Sequence, residues 1–317
     1  MMSSAVERTE VIEWLMRGDP AVRWQTMRDV LGVGEAAWKR ERRRVATEGW
    51  GSRLLSLRDP GGTWGGGIYG PKWTSTTYTL LLLRDMGLAP NNAAGAGSAR
   101  LIADRELGAI SDNKFAQRLG GLDQCIVGMD LSLLVYFGGK DARIDVMVEH
   151  LLGEQMDDGG WNCARLRRPC RHSSLHTTMN VLDALAEYVE RRRGSPARLA
   201  GAVGEAMGRA YEFMLRHRLF RSDRTGKVIR DAFTKFSFPP RWHFDVLRGL
   251  DHFRRTSAPR DERLADAIEL LLARRGEDGA WKLQNHHKGK EFFRLEQAGR
   301  PSRWNTMRAL RVLRWWG

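Results

Sequence analysis

Six times along the chain a polar or Gly/Pro-rich approach leads into an apolar run at helical spacing. This recurrence restricts the fold more than any other feature. The segments are 19–31, 70–83, 122–134, 172–185, 239–250 and 301–313. Set on their apolar spacing, they place Trp24, Ser75, Cys125, His176, Trp242 and Trp304 at one shared position, separated by 51, 50, 51, 66 and 62 residues. Proline near a helix start wastes no hydrogen bond, because the first N–H groups lack partners anyway, and nearby Ser and Thr can cap them. Between these runs lie six more polar segments, 10–17, 34–48, 99–107, 144–155, 200–218 and 260–275. Their apolar residues also recur at helical spacing, as in Leu264, Ile268, Leu271 and Leu272. The alternation predicts an all-α fold of six helical hairpins, with an inner and an outer ring of helices. A closed ring leaves no terminal repeat exposed. No strand is predicted, residues 91–98 read as a polar small-residue loop, and 1–317 reads as a single domain.

The longer connections are rich in Gly and Trp: Asp59-Pro-Gly-Gly-Thr-Trp64, Asp157-Asp-Gly-Gly-Trp161 and Glu277-Asp-Gly-Ala-Trp281. Glycine there supplies the positive φ of a tight turn after an outer helix. No apolar run approaches the eighteen or so residues of a membrane span, so no membrane span is expected. The start of the chain lacks the basic-then-apolar pattern of a signal peptide. Three cysteines do not make a disulfide framework. A cytoplasmic setting with thiols free or bound to metal is the simplest expectation. The net charge of +14 raises the possibility of an acidic partner. Its basic runs, Lys39-Arg-Glu-Arg-Arg-Arg44 and Arg191-Arg-Arg193, read as solvated helix faces. Aromatic residues do not interleave with them, so nucleic acid is not an expected partner.

Carboxylate, thiol and imidazole are the common zinc ligands. Asp123 and Cys125 stand at the start of one apolar run, and His176 stands at the start of the next. Zinc on Asp123, Cys125 and His176 would have three protein ligands and an open position, the pattern of a catalytic site. A rival set is Cys163, Cys170, His172 and His176, spaced Cys-x6-Cys-x-His-x3-His, which would close a structural site. Without metal, Cys125 is a small apolar core residue and His176 a polar group at a helix start. A second signal is a cation before Trp at four helix starts: Arg23-Trp24, Lys72-Trp73, Arg241-Trp242 and Arg303-Trp304. Facing one mouth, they would bind an anionic head on an apolar body. Alternatively each Trp packs between hairpins and its cation pairs with a neighbouring acid such as Asp19. His243, His286, His287, Asp245 and Glu296 are further polar candidates, with residues 291–293 as a lid.

The Asp-Gly-Gly-Trp turn at 158–161, its variants at 59–64 and 278–281, and the six-hairpin spacing resemble the terpenoid cyclase and protein prenyltransferase superfamily, over residues 10–316. More narrowly, the chain resembles prokaryotic proteins with prenyltransferase and squalene-oxidase repeats. The resemblance implies an (α/α)6 toroid. Squalene-type cyclases protonate an alkene with an Asp-x-Asp-Asp motif, which this chain lacks; Asp123 and Asp130 are seven residues apart. A metal-free cyclase is therefore the least favoured reading. Protein prenyltransferase β subunits hold zinc with Asp-x-Cys and a His in the next repeat, which Asp123, Cys125 and His176 parallel. Their α subunit has no counterpart in this chain, so a protein partner is one implied requirement. The related lanthipeptide cyclases use a Cys/Cys/His zinc site, which leaves a place for Cys163. The leading expectation is a zinc-dependent transferase- or cyclase-like enzyme acting on an amphipathic, isoprenoid-like anion in an aromatic-lined central cavity. The alternative is a non-catalytic toroid that binds a lipid or peptide.

Overall fold

The computed structural model describes residues 2–191 and 196–317, with side chains from Thr9 onward. Arg192 and Arg193 of the basic run at 191–193 lie outside the described residues. The described residues are helical, with isolated bridges but no strand. In order, the helices are α1 (Met2–Met16), α2 (Pro20–Gln25, continued as a π turn Thr26–Val30), α3 (Glu35–Arg43), α4 (Gly49–Ser56), α5 (Thr76–Met86), α6 (Ala93–Glu106), α7 (Phe115–Gly121) and α8 (Gln124–Phe137). They continue as α9 (Arg143–Gly153), α10 (Leu175–Arg191), α11 (Ala197–Arg216), α12 (Val246–Arg255), α13 (Ala265–Ala273) and α14 (Arg303–Trp316).

The six apolar runs become α2, α5, α8, α10, α12 and α14, and each polar segment falls on a helix. Local chemistry starts several of them. Asp19 caps α2 at Ala21 N with Pro20 in the first position, Asp245 caps α12 at Arg248 N, and Ser302 caps α14 at Asn305 N. The expected loop at 91–98 is largely helix: Asn92 accepts from Gly95 N and starts α6 at Ala93. The short helices α4 and α7 carry no strong periodic signal and were not expected from the sequence.

Each apolar helix meets the next. Trp24 Nε1 donates to Met86 O at 2.8 Å, tying α2 to α5. α5 packs on α8, and α8 on α10 in the most extensive helix–helix contact among the described residues. Gly128 makes that closeness possible, since a Cβ there would sit 2.9 Å from Asn180 O. Arg248 Nη2 reaches Asp183 at 2.8 Å and links α12 to α10. α12 packs on α14, and α14 returns to α2. No single helix among the described residues is long and apolar enough to cross a membrane. α7 and α8 together have the length, but they meet at 116° and α8 is almost wholly buried.

Trp64, Trp161 and Trp281 are fully buried and repeat one geometry. Each indole Nε1 donates 2.7 Å to the carbonyl ten residues upstream, on Leu54, Leu151 and Leu271. Each Trp N–H donates to a threonine Oγ1 in the first turn or two of the following apolar helix, Thr76, Thr178 and Thr306. The turn thus staples the end of one helix to the start of another. Gly159, at φ +98°, lies where a Cβ would be 2.5 Å from Arg209 O, so the Asp-Gly-Gly-Trp turn needs glycine on both counts.

These threonines also register the repeats. Thr178 and Thr306 lie two residues after His176 and Trp304, but Thr76 lies one after Ser75, so the second repeat shifts by one and Thr74 takes the shared place. Cys125, His176 and Trp304 are each the second residue of their helix, whereas Trp24 is the fifth of α2 and Trp242 precedes α12. Only three of the six residues therefore hold the expected common position.

Candidate functional site

At the start of α8, the ligand atoms of Asp123, Cys125 and Cys163 all lie within 4.8 Å of one another. Asp123 is the residue before the helix, Cys125 its second residue, and Cys163 opens a short 3-10 turn after Trp161. The Trp staple positions that turn. Asn162 caps it through Ala164 N at 2.9 Å, and Cys163 Sγ then meets the N-terminus of α8, accepting from Cys125 N–H at 3.3 Å. Thr177 Oγ1 lies 3.4 Å from the same sulfur. All three cysteines are free thiols.

The two neighbouring thiols differ. The neighbouring Cys125 thiol, with the Thr177 hydroxyl and the Cys125 N–H, outweighs burial and lowers the Cys163 thiol below its ordinary range. The neighbouring Cys163 sulfur and burial push Cys125 above the usual thiol range. Cys163 Sγ, which accepts the Cys125 N–H at the start of α8, is the better placed of the two sulfurs for negative charge. Asp123 faces Arg167, which donates at 2.8 and 3.3 Å. Arg167 is largely exposed, so this pair contributes about 1 kcal/mol or less.

Two thiols and a carboxylate are a donor set that suits zinc. The set differs from the expected Asp123, Cys125 and His176: Cys163 stands where the imidazole was expected. His176 lies outside the group. Its Nδ1 accepts from Phe244 N at 2.8 Å, and its ring meets Phe233, Trp242 and His243 at centroid distances of 5.1, 5.1 and 5.6 Å. Burial, reinforced by nearby cations, pushes His176 down to about 4. The rival set also stays apart among the described residues. Cys170 Sγ donates to the carbonyl of exposed His172 at 3.2 Å instead. Cys163 was legible as a variant ligand; its pairing with Cys125 rather than Cys170 follows from the Trp161 turn.

The cation–Trp pairs divide between roles. Trp24, Arg241 and Trp304 line a central cavity of about 410 Å³. Arg23 pairs with Glu41 at 2.6 Å, and Arg303 Nε donates to Trp14 O at 3.1 Å. Lys72 sits over the rings of Tyr69, Trp73 and Trp242 at 5.2–5.8 Å. Trp73 Nε1 donates to His287 O and Lys288 O, both at 3.0 Å. Trp242, His243 and His287 form a stacked column with centroids 3.8 Å apart. Burial keeps its imidazoles neutral, with His243 lowered to about 3 and His287 to about 4. Arg241 pairs with Glu291 at 3.1 Å. These residues therefore form a packed plug more than an open anion-binding mouth.

Further lining residues of the cavity come from α2, α3, α5, α8, α10, α12 and α14. Trp38, Tyr78, Tyr136 and Phe238 add aromatic surface, and arginines fill much of the rest. None of Asp123, Cys125 and Cys163 lines it. No protein-family model, curated protein or solved structure matches this chain.

Proposed function

We propose that the chain is a zinc-dependent, transferase- or cyclase-like (α/α)6 toroid of the terpenoid cyclase and protein prenyltransferase superfamily. The succession α2, α5, α8, α10, α12, α14 and back to α2 supports the ring. The proximity of Asp123, Cys125 and Cys163 carries the functional reading. These three residues would hold the metal, with Asp123 turning from Arg167. Bound zinc supplies a Lewis acid that makes a coordinated thiol or water nucleophilic at neutral pH. Cys163 and Cys125 would hold that charge at the helix start, and the aromatic, cationic cavity would take an amphipathic anion.

A second reading is favoured by one observation: the three ligands lie off the cavity wall. In that reading the toroid binds its ligand without transforming it, and the metal is structural.

The test is metal analysis of protein expressed with zinc and washed with chelator. About one zinc per chain is expected, lost in Cys125→Ser and Cys163→Ser and kept in His176→Ala. Cobalt substitution gives a second readout, since two thiolates produce a sulfur-to-cobalt charge-transfer band that each cysteine variant halves or removes. Metal content indifferent to both cysteines would sink the proposal. Turnover of an anionic thiol acceptor or prenyl donor that stops on zinc removal would separate the enzyme from the binding reading.

A further inference from the structure

The cavity wall carries an excess of positive charge. Ten arginines line it against five carboxylates, and Asp29 and Glu291 outside the lining add two more acids, paired with Arg28, Arg311 and Arg241. Gathering like charges on one concave surface costs desolvation and repulsion unless counter-charge offsets it. The acids present are shared. Asp251 serves Arg311 Nε at 2.7 Å, Arg254 Nε at 3.0 Å and Arg308 Nε at 3.5 Å. Asp183 serves Arg248 at 2.8 Å, His252 at 2.8 Å and Arg255 at 3.5 Å. Arg42 has no carboxylate partner among the described residues. It donates to Gly87 O at 2.8 Å and Tyr136 Oη at 2.7 Å, with its guanidinium 5.2 Å from the Trp24 ring centroid. Trp304, also in the wall, keeps a buried Nε1–H with no partner among the described residues.

We infer that this cavity binds a compact polyanion, a small molecule bearing two or more phosphate or carboxylate groups. A volume of about 410 Å³ lies within the range of small-molecule sites. The cations come from α3, α5, α10, α12 and α14, so they surround the space instead of marking one end. Several lie deep in their helices: Arg84 is the ninth residue of α5, Arg311 the ninth of α14 and Arg255 the last of α12. The site takes in Trp24, Arg241 and Trp304 of the cation–Trp pairs but lies apart from the Asp123 group. Guanidinium forks suit the planar oxygens of carboxylate and phosphate alike. The inference does not rest on the zinc reading.

The test is calorimetric titration of the full chain with sodium tripolyphosphate and, separately, sodium citrate, at low and at raised potassium chloride. One site per chain is expected, weakening as salt rises. The tighter of the two anions assigns phosphate or carboxylate as the preferred group. Arg308→Gln should weaken binding at least tenfold. Arg42→Gln, which leaves the shared carboxylates intact, should also weaken it several-fold, with circular dichroism confirming that the variant is folded. Arg40→Gln on the outer face of α3 should bind as the parent does, and so should Cys163→Ser. Absence of binding by both anions to folded parent protein, or binding unchanged in both Arg308→Gln and Arg42→Gln, overturns the inference. Anion binding by chelator-washed, zinc-free protein supports this inference whatever metal analysis shows for the Asp123 group.

Discussion

Replacing Trp161 with Phe should cost more stability than the same change at Trp64 or Trp281, although all three are fully buried and make the same 2.7 Å indole hydrogen bond. The difference lies in the acceptors. The last carbonyls of a helix have no intrahelical partner. Leu54 O also accepts from Leu57 N at 3.1 Å, and Leu271 O from Arg274 N at 3.2 Å. Near Leu151, Glu154 N goes to His150 O and Gln155 N to Leu152 O, so Trp161 is the partner of Leu151 O. Losing the indole ring volume costs each variant part of the roughly 3–5 kcal/mol of a Trp→Ala change. Only Trp161→Phe also leaves a buried carbonyl unpaired, for about 1–3 kcal/mol more. Urea unfolding followed by far-UV circular dichroism measures all three without relying on the tryptophan signal, and linear extrapolation gives the free energies. Trp161→Phe should be the least stable by at least about 1 kcal/mol. Equal losses, or a larger loss at Trp64 or Trp281, would refute the accounting of helix-end carbonyls.

Three further outcomes follow from individual contacts. Gly159→Ala should destabilise by about 1–3 kcal/mol from its positive φ alone, with more from the approach to Arg209 O; a thermal midpoint equal to the parent's would show that the turn can rearrange. Burial raises the Asp251 carboxyl, but Arg311, Arg254 and Arg308 overcome that and hold it well below its ordinary value. Its stabilisation is then present above pH about 4 and lost as pH falls toward the depressed value. Asp251→Asn should therefore cost about 3 kcal/mol at neutral pH, with the gap to the parent narrowing below pH about 4 in urea titrations; a gap that widens in acid contradicts the assignment. Asp123→Ala should change stability by about 1 kcal/mol or less, because its Arg167 partner is exposed, so a loss of metal in that variant can be separated from unfolding by circular dichroism.

The helices were legible because their information is local. Apolar spacing, Pro20, Asp245 and Ser302 act within one or two turns, and the residues that read as helix starts cap or open helices. The Asp-Gly-Gly-Trp turns were legible for the same reason, since glycine at positive φ and a buried Trp are needed within five residues. Registration between repeats was less so. Apolar spacing tolerates a slip of one residue, and only the Trp N–H to threonine bonds show that Thr74, not Ser75, aligns with His176. α6 starts earlier than read because Ala93–Glu106 opens with Ala and Gly, which leave no apolar stripe, while the Asn92 cap does the work of starting it.

Which ligands converge is a matter of where two separate turns end. Sequence spacing brought out Asp123, Cys125 and His176 because they share a repeat position, yet shared position places residues on equivalent helices without bringing their side chains together. The Trp161 staple to Leu151 and Thr178 fixes the 3-10 turn that carries Cys163 to Cys125, while Phe244 N claims His176 Nδ1. The cavity was hidden for a related reason. Along α10, α12 and α14, Arg and Asp alternate with apolar residues in a pattern that also describes a solvent-facing helix. They line a cavity because α10, α12 and α14 pack with α2, α3, α5 and α8 around one space. An arginine in such a helix has no sequence signature that separates an outer face from an inner one; the tertiary packing supplies it. That distinction makes the anion titration more informative about this chain than a screen based on its cation–Trp pairs.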